Sequence, residues 1–266
     1  MWKEEGKKPI LEYLTWTFGI SWGVEFIIIL LERIGLLTGT IGKVIAMLLI
    51  GFGAGFTPTY AVYIVLKRHK MIKGFKDFVK RILQGKNIKT TSILLVVWMG
   101  IFLIKAIMTE QWMGNPWYLF IVFLPMMIFG GGLEELGWRG FLQPALEEKM
   151  GFVLATLTQS VIWAVWHLPL WFVQNANQSQ FNFLSFFIYC IPLSFSLGIL
   201  YRATKSVWAV VVLHAWANVI FGGMFTFGVL LASPSIKIVL IHSVEVVIAL
   251  ICLAIIKIKE ECHRSK

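Results

Sequence analysis

The chain reads as an all-α, polytopic membrane protein of about eight transmembrane helices. Hydrophobic residues make up 58% of its 266 residues and charged residues only 14%, with a mean hydropathy of +0.78. That balance is too apolar for a surface facing water. The apolar residues also fall in runs of roughly 20, the length a bilayer core requires of a helix. Finally, the basic residues behind the net charge of +10 are clustered between runs, as expected where positive loops stay on the cytoplasmic side.

The expected spans cover about 13–36, 43–66, 90–108, 116–143, 152–174, 181–201, 206–231 and 236–257, on the length rule for a bilayer. The first apolar stretch, Tyr13 to Leu31, is too long for the apolar region of a signal peptide and has no small-residue cleavage site after it. It is expected to be a retained span. The connection from Lys67 to Lys89 carries nine Lys or Arg against one acid, Asp77, and is expected to be cytoplasmic. With eight spans, both termini then lie inside, and the neutral loop Gln174–Gln180 lies outside. Within the basic connection, Phe75, Phe78, Val79, Ile82 and Leu83 recur at helical spacing and suggest a short interfacial helix. Anionic lipid headgroups account for the basic excess, and nothing else points to nucleic acid. Cys190, Cys252 and Cys262 have neither disulfide-framework nor metal-ligand spacing.

Ionisable groups inside spans are costly, so each is a candidate for function. Span four ends in GGGLEELGWRG, with Glu134, Glu135 and Arg139. Adjacent helical residues point about 100° apart, so the two glutamates cannot face one point. Glu135 and Arg139 are spaced i, i+4 and can pair, which leaves Glu134 as the free carboxylate. Span five carries His167 just before Pro169, and span seven carries His214 and Asn218 on one face at i, i+4. Two readings of His214 and Asn218 stay open, interhelical ties or chemistry. Taken together, Glu134, His167, His214 and Asn218 form the inventory of a site that activates water and stabilises an oxyanion. The same inventory could hold zinc through Glu134, His167 and His214 with an open fourth position. There is no HExxH helix and no GxSxG elbow.

The series Glu134-Glu135-x-x-x-Arg139, Trp163-x-x-x-His167 and His214-x-x-x-Asn218 resembles the motifs of the CPBP family. These are C-a-a-X protease and bacteriocin-processing intramembrane enzymes related to type II C-a-a-X prenyl endopeptidases. The resemblance covers roughly 116–223 and departs at Trp163, where the family usually has Phe. It implies that Glu134 and His167 activate water for peptide-bond attack and that Glu135 and Arg139 support the site. His214 and Asn218 would polarise the carbonyl or contribute to a metal site, and the motifs do not choose between zinc and a metal-free mechanism. The implied organisation is 1–110 as N-terminal helices with the basic loop 67–89, 111–232 as the catalytic helical core, and 233–266 as the last helix and cytoplasmic tail. Expected partners are the lipid bilayer and a peptide or membrane-protein substrate. The competing readings are an inactive scaffold of the same fold and a proton-coupled transporter, the latter weakened by the lack of inverted repeats.

One geometric difficulty stands at this level. Counted along straight helices, Glu134 approaches the cytoplasmic side while His167 lies roughly 22 Å in from residue 152, nearer the outside. A shared site requires the connection near 144–156 to lie at the interface, with Pro144 breaking span four. Of the remaining charges, Lys105 and Lys237 are expected to snorkel, and His242 to pair with Glu245 at i, i+3. Glu25 has no counterpart in the motif series.

Overall fold

The computed structural model describes residues 8–82, 84–85 and 87–264. Leu83 and Lys86 of the basic connection and Lys266 of the tail lie outside the described residues, as do the side chains of Lys237 and Arg264. Among the described residues the chain is helical throughout, with two isolated bridges and no strand. Seven helical stretches are long and apolar enough to cross a membrane.

Helix α1 (Lys8–Arg33) is amphipathic in the inverted sense. Tyr13, Thr17, Ser21, Glu25 and Glu32 are buried, while Leu11, Phe26, Ile27 and Leu30 face outward. Steps of three and four place the polar groups on one stripe, and lipid gives no reason to hide the apolar ones. Helix α2 (Gly39–Leu48) passes through a π-helical stretch, Leu49–Gly55, into α3 (Thr57–Arg68). Pro58 sits in the first turn of α3, where a missing N–H costs nothing. A short helix, α4 (Phe75–Ile82), forms where the spacing suggests one, with Phe78 buried and Phe75 exposed. Helix α5 (Ile88–Thr109) starts on an Asn87 cap whose Oδ1 accepts from the Thr90 amide at 3.2 Å.

The stretch 119–172 counts as one apolar segment but is a hairpin. It contains α6 (Leu119–Phe129), a 3-10 turn Gly132–Glu134, α7 (Glu135–Gly137), a π turn Trp138–Leu142 and α8 (Gln143–Trp166). Gln143 Nε2 lies 3.5 Å from Thr156 Oγ1, and Trp163 Nε1 lies 3.0 Å from Glu134 Oε2. In a straight helix those pairs would be roughly 20 and 40 Å apart. The chain doubles back at Gly151, whose φ of 75° and ψ of 170° are non-helical. The two expected spans 116–143 and 152–174 are therefore the two legs of one segment. The break expected at Pro144 does not occur there: Pro144 occupies the first turn of α8, which tolerates it, and the reversal waits for glycine. Glu134 and the end of α8 are thereby returned to the same depth.

Helix α9 (Phe183–Thr204) runs through the centre and is buried on all sides from Pro192 to Leu200. Helices α8 and α12 (Ile236–Arg264) pack against it. Helix α10 (Val207–Val219) packs on α5 and α6 and ends in an irregular turn, Ile220–Met224, followed by the one-turn α11 (Gly228–Leu231). Lys105 does not snorkel. Its Nζ reaches Glu245 Oε2 at 2.8 Å and His242 Nδ1 at 3.1 Å, so one buried group of three ties α5 to α12. A cation beside the expected His242–Glu245 pair makes the cheaper arrangement, because an unpaired buried acid costs more than a paired one.

Gly151 adopts a conformation that is nearly confined to glycine, with open space where a Cβ would go. Gly151→Ala should therefore lower stability through the backbone alone, by about 1–3 kcal/mol. Gly19→Ala, on an open face of α1, should leave it unchanged. Thermal unfolding in detergent separates the two variants.

Candidate functional site

The site begins where α6 stops. After Phe129 the chain enters Gly130-Gly131-Gly132, and Gly131 has φ 151° and ψ −36°, a region that disfavours any side chain. A Cβ on Gly131 would lie 2.6 Å from Asn218 Nδ2, 3.6 Å from Glu134 Oε1 and 3.7 Å from His214 Nε2. Glycine thus brings the backbone to the point where three of the four expected chemical groups meet. The Thr59 hydroxyl, from α3, donates to the Leu133 carbonyl at 2.6 Å, steadying the irregular backbone beside Glu134.

The two glutamates diverge as their spacing requires. Glu135 is fully buried, and its Oε1 accepts from Arg139 Nη1 at 2.8 Å and from His214 Nδ1 at 2.8 Å. Arg139 is equally buried. The expected Glu135–Arg139 pair is present, and it also holds His214, which the spacing did not reveal. Glu134 turns the other way, and its Oε2 accepts from Trp163 Nε1 at 3.0 Å. A phenylalanine at that position would pack but could not donate, so the one departure from the family motif adds a polar contact to the carboxylate.

Both histidines have their tautomers set by acceptors. His167 Nδ1 lies 2.8 Å from the Trp163 carbonyl, and His214 Nδ1 faces the Glu135 carboxylate. Neither partner can donate, so Nδ1 carries the proton in each ring, and a neutral imidazole then presents its lone pair at Nε2. The Trp163 ring centroid is 5.0 Å from that of His167 and 5.5 Å from that of His214. One indole therefore contacts Glu134, His167 and His214.

All four expected residues, Glu134, His167, His214 and Asn218, line one cavity of about 350 Å³. Its walls extend beyond the motifs, to Glu25 of α1, the 47–55 region and the loop Asn175–Gln178. That loop is tied down by Glu32, which accepts from the Gln174 amide and from Asn175 Nδ2, both at 2.8 Å. On the neighbouring side Glu110 accepts from the amides of Gly228 and Val229 at 2.6 and 2.9 Å and from Thr226 Oγ1 at 2.9 Å. A larger cavity, about 600 Å³, lies beyond Leu136 and Gly140 against Arg81, Tyr201 and Lys205, and contains none of these four residues.

Sequence spacing alone did not identify Glu25, Glu32 or Glu110 as parts of this region. Glu25 and Glu32 do carry a signal, since they continue the stripe begun by Tyr13, Thr17 and Ser21. As to zinc, the donor types of Glu134, His167 and His214 suit it. However, among the described residues no three His, Cys, Asp or Glu side chains are arranged to hold a metal ion.

Comparison with known proteins points to the same segment. Residues 115–220 match the family described as Rce1-like type II CAAX prenyl endopeptidase. CAAX prenyl protease 2 of Methanococcus maripaludis is 24% identical over 163 residues, which cover 54% of this chain and 60% of that protein. The chain thus spans about 60% of the length of the curated relative it matches. The matched segment contains Glu134, Glu135, Arg139, Trp163, His167, His214 and Asn218, and ends before α12.

The two adjacent acids should respond differently to the same change. Glu135→Gln leaves Arg139 buried without its counter-charge and should cost about 3–5 kcal/mol of stability. Glu134→Gln faces a cavity and should unfold close to wild type. Denaturation of the two variants under one detergent condition reads the difference.

Proposed function

We propose that the chain is an intramembrane endopeptidase that hydrolyses peptide bonds of peptides or membrane-associated proteins, a reading supported by the match of residues 115–220 to the Rce1-like type II CAAX prenyl endopeptidase family. The observation that carries this reading is the convergence of Glu134, His167, His214 and Asn218 on one cavity of about 350 Å³.

The chemistry follows from the atoms left free. A water between Glu134 and the His167 Nε2 lone pair gives a proton to the Glu134 carboxylate as its oxygen attacks the scissile carbonyl carbon. Negative charge then develops on the carbonyl oxygen. Asn218 Nδ2 donates to that oxygen, as does His214 through Nε2–H when its ring is protonated. Glu135 at Nδ1 holds that ring in place. Collapse of the tetrahedral intermediate breaks the C–N bond, and Glu134 returns its proton to the leaving amine. Trp163 Nε1 keeps one carboxylate oxygen fixed, so the other is the one that meets water.

The name of the Methanococcus maripaludis protein refers to prenylated CAAX substrates. For this chain the substrate class is a peptide or membrane-protein segment that reaches the cavity within the bilayer. The positive charge of the 67–89 connection supports a cytoplasmic side for it, and an even number of crossings, with 119–172 counted as two legs, is the reading that puts both termini there.

Glu134→Gln, His167→Ala and His214→Ala should each reduce cleavage by about 100-fold or more, the scale of general acid–base and oxyanion contributions. Proteomics of membrane-bound peptides, with wild type and Glu134→Gln compared, reads out the substrates. Variants that fold normally yet change no peptide, together with wild-type protein that cleaves no peptide library, would overturn the enzymatic reading in favour of a scaffold. Trp163→Phe should keep the fold and lower kcat by about tenfold, with KM little changed, because it removes one charge-assisted hydrogen bond to the base. Elemental analysis of the purified protein addresses zinc. A stoichiometric metal lost in His167→Ala would require the cavity to close around it.

A further inference from the structure

Glu25 is the acid the mechanism does not use. It lies midway along α1, is 2% exposed, and lines the same cavity as Glu134 and His167. Its Oε2 is buried and has no hydrogen-bond partner. Ser21, one turn earlier on the same buried stripe, is its polar neighbour and brings no charge. Among the described residues, other buried acids hold a cation or several donors through at least one oxygen: Glu135 has Arg139 and His214, Glu245 has Lys105, and Glu32 has the 174–175 backbone and side chain. A carboxylate held in an apolar setting without a counter-charge is expensive, so its position needs a reason.

The surroundings of Glu25 point to what completes it. The cavity is lined by two acids, Glu25 and Glu134, and by no Lys or Arg. The wall near the 47–55 region is made of Met47, Ile50, Gly51 and Ala54, with Leu170 of the 3-10 turn Leu168–Phe172 beside them. Such a wall suits the methylene stem of a long side chain, with a charged tip that needs a partner at its end. Aromatic rings of Trp166, Phe186 and Tyr189 on the same cavity favour a cation as well.

We propose that Glu25 forms a specificity subsite for a basic side chain of the substrate, with the Lys or Arg stem against Met47, Ile50 and Leu170 and its charged end on the Glu25 carboxylate. The proposal rests on the hydrolytic reading of this cavity and adds to it the residue that selects the substrate. Glu25 acts in binding, apart from the groups that touch the reacting bond. No covalent step is involved.

The test uses the full-length protein in lipid nanodiscs and dansylated octapeptides carrying Lys or the uncharged, similarly shaped norleucine at each position in turn. Binding is measured to the Glu134→Gln protein, which removes both turnover and the competing carboxylate. At one position Lys should bind about tenfold more tightly than norleucine or better, the scale of a charge-assisted contact. Adding Glu25→Gln should bring that ratio to about one, whereas Glu25→Asp, which keeps the charge, should retain part of the preference. The idea fails if no position prefers Lys, or if the preference survives Glu25→Gln. Cleavage of the same peptides by wild type is scored separately. Cleavage without a Lys preference would sink the subsite and leave the hydrolytic reading standing. A Glu25-dependent Lys preference without cleavage would do the reverse.

Discussion

Everything at the centre of this fold depends on one fully buried carboxylate. Glu135 takes the Arg139 guanidinium on its own helix and the His214 imidazole from α10, each at 2.8 Å. In a hydrocarbon setting none of the three is tolerable alone, so each fixes the other two. The result is more than cohesion. With Glu135 committed to α10, the helical phase of the segment is set, and Glu134, one residue earlier, has only the cavity to face. The tautomer of His214 follows from the same contact. The direction in which Glu134 points is thus arranged by its neighbour.

A second constraint is topological. Glu134 and His167 come from the two legs of a single hairpin, and the legs meet because Gly151 reverses the chain. Glu134 then faces Trp163 across a gap of 29 residues in sequence. The indole that spans the gap contacts the base on one side and both imidazoles on the other. Irregular backbone occurs where the cavity needs it, at Gly130–Gly132 and in the π turn Trp138–Leu142, and is surrounded by protein in each case, as a membrane interior demands.

Much of this was readable before any coordinates. The class, the spans and the division of labour between Glu134 and Glu135 came from composition, run length and the angular step of a helix. Legibility ended at contacts between distant elements. Nothing in the spacing of His214 shows that Glu135 would hold it, and nothing in Trp163 shows that its N–H would reach a carboxylate. The depth mismatch between Glu134 and His167 comes from counting 116–143 and 152–174 as straight rods, and the fold removes it at Gly151 where proline is the expected breaker. Proline at the start of a helix is harmless, whereas glycine alone permits the φ and ψ that turn the chain. Lys105 illustrates a further limit. A lone lysine reads as a snorkelling one until the partner helix, far away in sequence, supplies Glu245 and His242.

Helix α1 alters what should be regarded as the working unit. The family match covers 115–220, yet Trp22 of α1 donates to the Trp166 carbonyl beside His167, Glu25 stands in the cavity wall, and Glu32 pins the loop over it. A fragment cut to the matched segment would keep every motif residue and lose one flank of the chamber to lipid. Its acids and imidazoles would then face hydrocarbon where they now face protein. The smallest piece of this chain able to hold a water beside Glu134 is therefore larger than the piece that carries the motifs. Swapping the N-terminal helix between relatives exchanges a wall of the reaction vessel along with a membrane anchor.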